Sequence, residues 1–162
     1  MSSISGQTLA YPSQTYTWND PCFGGPVSVT LRVYVNGGQA PPTYRWDYEV
    51  TNQGFSPPGP TLSQKTGLPY WVVNFAVPVP EVAQPYAQDA NNDPDPNWTT
   101  QVDPVNGFTA YTSLSTGLMP GQTMHFGFTT GQRPVVQLTA CGAIASPNNP
   151  ICGGFSSGCI GG

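Results

Sequence analysis

The longest stretch of this chain without glycine or proline is eleven residues, Thr43 to Gln53. Both residues disfavour helix interiors, proline by about 3 kcal/mol and glycine by about 1 kcal/mol relative to alanine. A long helix therefore has nowhere to sit. What the punctuation leaves room for is short strands joined by turns, and the apolar spacing agrees. Val27, Val29, Leu31, Val33 and Val35 fall on one face, and Ser28, Thr30, Arg32, Tyr34 and Asn36 on the other. That is the period of two expected of a half-buried strand. Asn36-Gly37-Gly38 supplies turn chemistry. Tyr44, Trp46, Tyr48 and Val50 then point inward, with Arg45, Asp47, Glu49 and Thr51 outward.

Further strands are predicted around Trp71 to Val77, Phe108 to Leu114, Met124 to Phe128 and Val136 to Ala140, and at Thr15 to Trp18. Pro78 and Pro80 end the first of these or push it to a sheet edge. Six to eight short strands with turn signals between them predict an all-β fold, an antiparallel β-sandwich of Ig-like or jelly-roll-related type. Residues 1–140 read as the sandwich domain, with 1–20 as a candidate N-terminal arm. Residues 141–162 read as a Gly-rich tail tied by disulfides. Pro80 to Asn106 shows no periodicity and reads as a long irregular region, which in a small domain is usually functional or specially held.

Charge narrows the function classes. Only 12 of 162 residues are charged, where a soluble domain usually gives about a quarter to charge. A formal charge of −4 argues against a broad phosphate-binding footprint, so nucleic acid is not an expected partner. No apolar run approaches the roughly 20 residues that span a bilayer. The start, Met1-Ser2-Ser3-Ile4-Ser5-Gly6-Gln7, does not read as a secretory signal peptide. A chain short of surface charge lacks the usual means of staying monomeric in a crowded cytosol, which points to an extracellular or cell-surface location or to assembly.

Cys22, Cys141, Cys152 and Cys159 are an even set in a Pro-rich, charge-poor chain, which fits disulfides in an oxidising compartment. Their three pairings stay open. The C-x10-C-x6-C tail spacing lacks the short knuckle of a structural zinc site.

The acidic run Asp89, Asn91, Asp93, Asp95 places oxygens at alternate positions, which can serve Ca²⁺. The match to an EF-hand loop stops at Pro94, where that loop needs glycine, and at Thr100, where it needs glutamate. The same residues also read as a solvated run of Asx and Pro turns, which is the favoured reading. Trp98 and Tyr86, in and beside this run, are candidates for stacking on a sugar ring or anchoring an interface; core packing is the competing reading. Asn97-Trp98-Thr99 is a glycosylation sequon in form. Asp47 and Glu49 share one strand face with Arg45 and read as an exposed cross-strand charge network rather than a glycosidase pair. His125, the single histidine, reads as a surface or interface strand residue. No nucleophile context surrounds it, so no catalytic residue is expected.

Tyr44-Arg45-Trp46-Asp47-Tyr48-Glu49-Val50-Thr51-Asn52 resembles the "tYtYeVtN" strand of Ig-like β-sandwich domains in exported bacterial surface proteins. The segment Pro96-Asn97-Trp98, the strand from Gly107, and Gly117-Leu118-Met119-Pro120-Gly121-Gln122 leading to Phe126 and Phe128 follow in the same order, over residues 44 to 130. The resemblance implies a structural or adhesive module and no catalytic residues. The chain departs from it in its acidic loop and its cysteine-bearing tail.

Three functions are therefore weighed. The first is a structural subunit of an extracellular fibre, sheath or surface assembly, a homo-oligomer or polymer held by strand addition and disulfides. The second is a carbohydrate-binding or adhesive surface module with a glycan partner, using Trp98, Tyr86 and the acidic loop. The third, a secreted hydrolase, ranks last.

Overall fold

The computed structural model describes residues 7–10, 12–20, 24–36, 41–56, 66–74, 82–105, 107–131, 139–146 and 154–161. Cys22, Cys152, the Gly37-Gly38 turn, residues 1–6 of the arm, and the strand ends expected at Phe75, Val77, Val136 and Leu138 lie outside them.

The described residues form an antiparallel β-sandwich of eleven strands. The first sheet has the order β1 (Gln7–Leu9), β3 (Gly24–Asn36), β4 (Tyr44–Asn52), β9 (Thr123–Thr130), β6 (Val82–Asp89). β2 (Gln14–Asp20) also pairs with β3, alongside a different stretch of it from β1. The second sheet runs β11 (Gly154–Gly161), β10 (Thr139–Ser146), β5 (Tyr70–Asn74), β8 (Phe108–Ser113), β7 (Trp98–Asp103). Among the described residues no helix is long and apolar enough to cross a membrane.

The core lies between the sheets and follows the alternation in the sequence. Val27, Val29 and Val33 of β3, Trp46, Tyr48 and Val50 of β4, and Met124, Phe126 and Phe128 of β9 are buried on one inner face. Tyr111 of β8 and Trp98 of β7 meet them from the other. Phe126 sits at the centre, with the Tyr111 ring 5.1 Å and the Trp98 ring 4.9 Å from its own. The two sheets are also joined by a hydrogen bond: the fully buried Tyr111 hydroxyl donates to the Gly127 carbonyl at 2.8 Å. Trp46 Nε1 donates to Thr130 Oγ1 at 3.0 Å, so this buried indole leaves no unpaired donor.

Two elements differ from the sequence-based expectation. The region from Pro80 to Asn106 is not one irregular loop, because it carries β6 and β7. Their period is masked for separate reasons. β6 shifts register between Ala83 and Tyr86, where Gln84 takes a left-handed φ of 49° and Pro85 follows it. β7 exposes Thr99, Thr100 and Gln101 in succession. The Gly-rich segment read as a tail instead runs as β10 and β11 at one end of the second sheet. Its strand pattern is hidden by glycine, serine and alanine, which signal neither face.

Candidate functional site

Two groups of polar residues stand out. The first lies on the outer face of the first sheet. The pairing of β4 with β3 and β9 sets Arg32 opposite Asp47, and Glu49 opposite His125. Gly127 lies opposite Asp47 on one side and Tyr86 on the other. A Cβ built on Gly127 would stand 2.3 Å from the Tyr86 hydroxyl oxygen, so only glycine here lets the tyrosine lie across the sheet. The Tyr86 hydroxyl then donates to Asp47 Oδ1 at 2.7 Å and accepts from Arg45 Nε at 3.0 Å. The Arg45 guanidinium carbon sits 4.7 Å from the centre of its ring, a cation–π contact. His125 Nδ1 pairs with Asp47 Oδ2 at 3.0 Å, and its Nε2 lies 3.7 Å from Glu49 Oε2. Arg32 closes on Glu49 at 3.3 Å.

Asp47, expected to be exposed, is instead 4% exposed. The cover comes from Tyr86, which is 39 residues away in sequence. The Asp47 hydrogen bond raises the pKa of His125, and burial partly opposes it. Burial first, and the Asp47 charge second, push the Tyr86 phenol above its ordinary range. A histidine held by an aspartate resembles part of a hydrolytic triad, but the neighbours that close this network are Arg45, Tyr86, Glu49 and Arg32, so the arrangement joins strands. It fastens β4 to β9 and β6.

The second group surrounds a cleft of about 450 Å³ at one end of the sandwich. One wall is the connection from β6 to β7, with Asp89, Asn91, Asp95 and Asn97. The other is residues 115–122 between β8 and β9, with Ser115, Thr116 and Gln122; Trp98, Leu118 and Met124 also line the cleft. Each wall is set by local chemistry. Asp89 Oδ1 accepts from the backbone N–H groups of Asn91 and Asp93 at 2.8 and 3.0 Å. Asp95 Oδ1 accepts from the Asn97 N–H and from its Nδ2 at 2.9 and 3.0 Å. These are Asx turns, and Asn92, at φ 67°, takes the left-handed conformation that asparagine tolerates well.

In the opposite wall, Met119-Pro120-Gly121-Gln122 closes a turn through Gln122 N–H to Met119 O at 3.0 Å. Gly121 has φ 88°, the third-position glycine that a proline-led turn of this kind demands. The turn is clamped to the first sheet: Gly121 N–H donates to Asn52 O at 2.7 Å, and Asn52 N–H to Gln122 O at 3.0 Å. Asn52 is fully buried, and its amide binds Phe55 O and Leu118 O, both at 2.7 Å, while its Oδ1 accepts from Gly54 and Phe55. Thus the asparagine ending the 44–52 segment holds one wall of the cleft in place.

Of the residues singled out from sequence, Trp98 belongs to the core. It is 8% exposed and makes a T-shaped contact with Phe126, so little of its surface is open to a ligand. Tyr86 is half-buried in the outer-face network and does not line the cleft. Asp89, Asn91 and Asp95 line the cleft, but Asp93 does not. Among the described residues no three His, Cys, Asp or Glu side chains are grouped to hold a metal ion. Asp89 and Asp95 are turned to their own backbone. Cys141 and Cys159 face each other in the β10–β11 register. The residues that sequence reasoning missed are Gln122, whose signal was the Leu-x-Pro-Gly-Gln turn itself, and Thr116, which precedes that turn and carried no signal.

No family model matches the chain, and no curated protein matches it. Among solved structures it is similar to the KRT10-binding region domain of the pneumococcal serine-rich repeat protein PsrP. That match has a TM-score of 0.37 at 12% identity and covers 96% of this chain and 98% of that one.

Proposed function

We propose that this protein is an extracellular adhesive module that binds a hydroxyl-rich ligand, a glycan, in the cleft between residues 89–97 and 115–122. The reading takes it as a binder and not a catalyst. The observation that carries it is the pre-set polar lining. Asp89 and Asp95 each commit Oδ1 to a turn, and among the described residues no hydrogen bond engages their Oδ2 atoms. Turn-locked carboxylates with an open oxygen are ready acceptors for sugar hydroxyls, at little entropic cost on binding. Sparse charge elsewhere fits a surface protein of this kind.

The test is a glycan panel with the intact chain and an Asp89→Asn/Asp95→Asn variant. Asparagine keeps the Oδ1 acceptor that holds each turn but removes the charge. A hydrogen bond to a charged group is worth about 1.5–3 kcal/mol, so affinity should fall roughly tenfold or more. A panel on which the intact chain binds nothing would remove the reading. Subunit assembly into a fibre stays a second reading, favoured by the low charge count. The Gln84-Pro85 bulge works against strand addition at the β6 edge.

A further inference from the structure

We propose that Cys141 and Cys159 form a disulfide that fixes the outermost strand of the second sheet. β10 and β11 pair antiparallel over their full length, and the register sets Cys141 directly opposite Cys159. Directly opposed residues in such a pair have α-carbons about 4.5 or 5.5 Å apart, depending on the hydrogen-bonding site. Both separations fall within the roughly 4.4–6.8 Å that a disulfide spans. Of the three pairings that four cysteines allow, this one alone joins two positions that the sheet already brings together among the described residues.

The composition of β11 shows what the bond would do. Gly154, Gly158 and Gly161, with Ser156 and Ser157, make up most of the strand, and Gly158 lies opposite Gly142. Glycine weakens a strand interior and offers nothing to pack. A Gly-rich strand specifies its register weakly, and a slip of one residue moves every side chain to the other face. A covalent bond at one rung removes that freedom. On the other side Cys141 pairs with Val72 of β5, so the bond joins the edge strand to one that is already hydrogen-bonded inward.

The chemistry is thiol–disulfide exchange with a disulfide-bearing oxidoreductase of an oxidising compartment. One cysteine thiolate attacks the oxidant's disulfide and forms a mixed disulfide. The second thiolate displaces it, making the Cys141–Cys159 bond and releasing the oxidant as a dithiol. Two thiols lose two protons and two electrons, and the oxidant takes up both. Cys22 and Cys152 are then the thiols left for a bond within the chain or to another copy.

The experiment uses a Cys22→Ser/Cys152→Ser variant and the unmodified chain, both recovered from an oxidising compartment. Unfolded without reductant, the variant should take up no maleimide label and run as a monomer; after reduction it should take up two labels. Peptic fragments of the unmodified, unreduced chain should join the segment around Cys141 to the segment around Cys159. Two free thiols in the variant, a covalent dimer of it, or Cys141 joined to Cys22 or Cys152 in the unmodified chain would each overturn the proposal. The peptide map decides the matter even where the variant folds poorly.

Discussion

The outer face of the first sheet and the acidic loop beside the end cleft each hold three of the chain's twelve charged residues in a short segment: Arg45, Asp47 and Glu49 in one, Asp89, Asp93 and Asp95 in the other. The aspartates of the two regions do opposite things. Asp47 reaches partners 39 and 78 residues away, Tyr86 and His125, and is buried by them. Asp89 and Asp95 reach no further than four residues, to the backbone of their own loop, and the loop is largely exposed. Long-range pairing makes a carboxylate part of the fold. Local turn-capping leaves the fold nearly indifferent to the charge and keeps one oxygen open to solvent. The same side chain therefore joins strands in one region and presents an acceptor in the other.

Stability tests that contrast most severely. Asp47→Ala leaves Tyr86 and His125 without their shared acceptor and Arg45 without the carboxylate 4.0 Å from it, in a buried setting, and a loss of about 3–5 kcal/mol is expected. Asp95→Ala removes a turn cap at a partly exposed site and should cost about 0.5–1 kcal/mol. Urea unfolding of the two variants side by side measures both. Equal losses would mean that the two regions are not different in kind. A step smaller, Tyr86→Phe keeps the ring over Gly127 and deletes only the hydroxyl. Leaving Asp47 Oδ1 short of its donor should cost about 1–3 kcal/mol, with no change in the sheet signature by circular dichroism.

How far each region could be read from sequence follows from the same difference. Alternation in 27–35 and 44–50 and at 124–128 was plain because each strand has one face against the core. It assigned Arg45, Asp47 and Glu49 to a shared outer face. It could not show that Asp47 is buried, because the covering ring is delivered by the Gln84-Pro85 bulge and admitted by the absent side chain at Gly127, neither of which leaves a periodic trace. The bulge also hid β6, and three consecutive exposed side chains hid β7. The acidic loop was legible as turn chemistry, since its hydrogen bonds are local. Its opposite wall was legible only as a Pro-Gly turn, and nothing in the spacing says that residues 115–122 face residues 89–97. Trp98 was ambiguous for a related reason: it stands at the boundary between loop and strand, and the strand side decides its burial.

The outer-face network also predicts a pH dependence. His125 has its pKa raised from the ordinary 6.5, chiefly by its hydrogen bond to Asp47, with the Asp47 and Glu49 charges adding, and burial and Arg32 opposing. A group whose pKa is higher folded than unfolded contributes stability that is fully present below the unfolded value, about 6.5, and is lost as pH rises through the folded value. The melting midpoint should therefore be higher below about pH 6.5 and decline as pH rises above it. His125→Gln should flatten that decline. A decline of the same size in the glutamine variant would assign the pH dependence to another group.

The smallest expected effect lies at the cleft. Asp89→Asn and Asp95→Asn retain the Oδ1 acceptor for the N–H groups of Asn91, Asp93 and Asn97, so both turns persist. Stability should shift by no more than about 0.5 kcal/mol, within the scatter of a careful urea titration. That near-silence is what makes the pair informative. If glycan affinity falls while the unfolding curve stays put, the carboxylates act on the ligand and not through the fold. If the unfolding curve moves as far as it does for Tyr86→Phe, the loop is a structural joint like the outer face, and the contrast between the two regions dissolves.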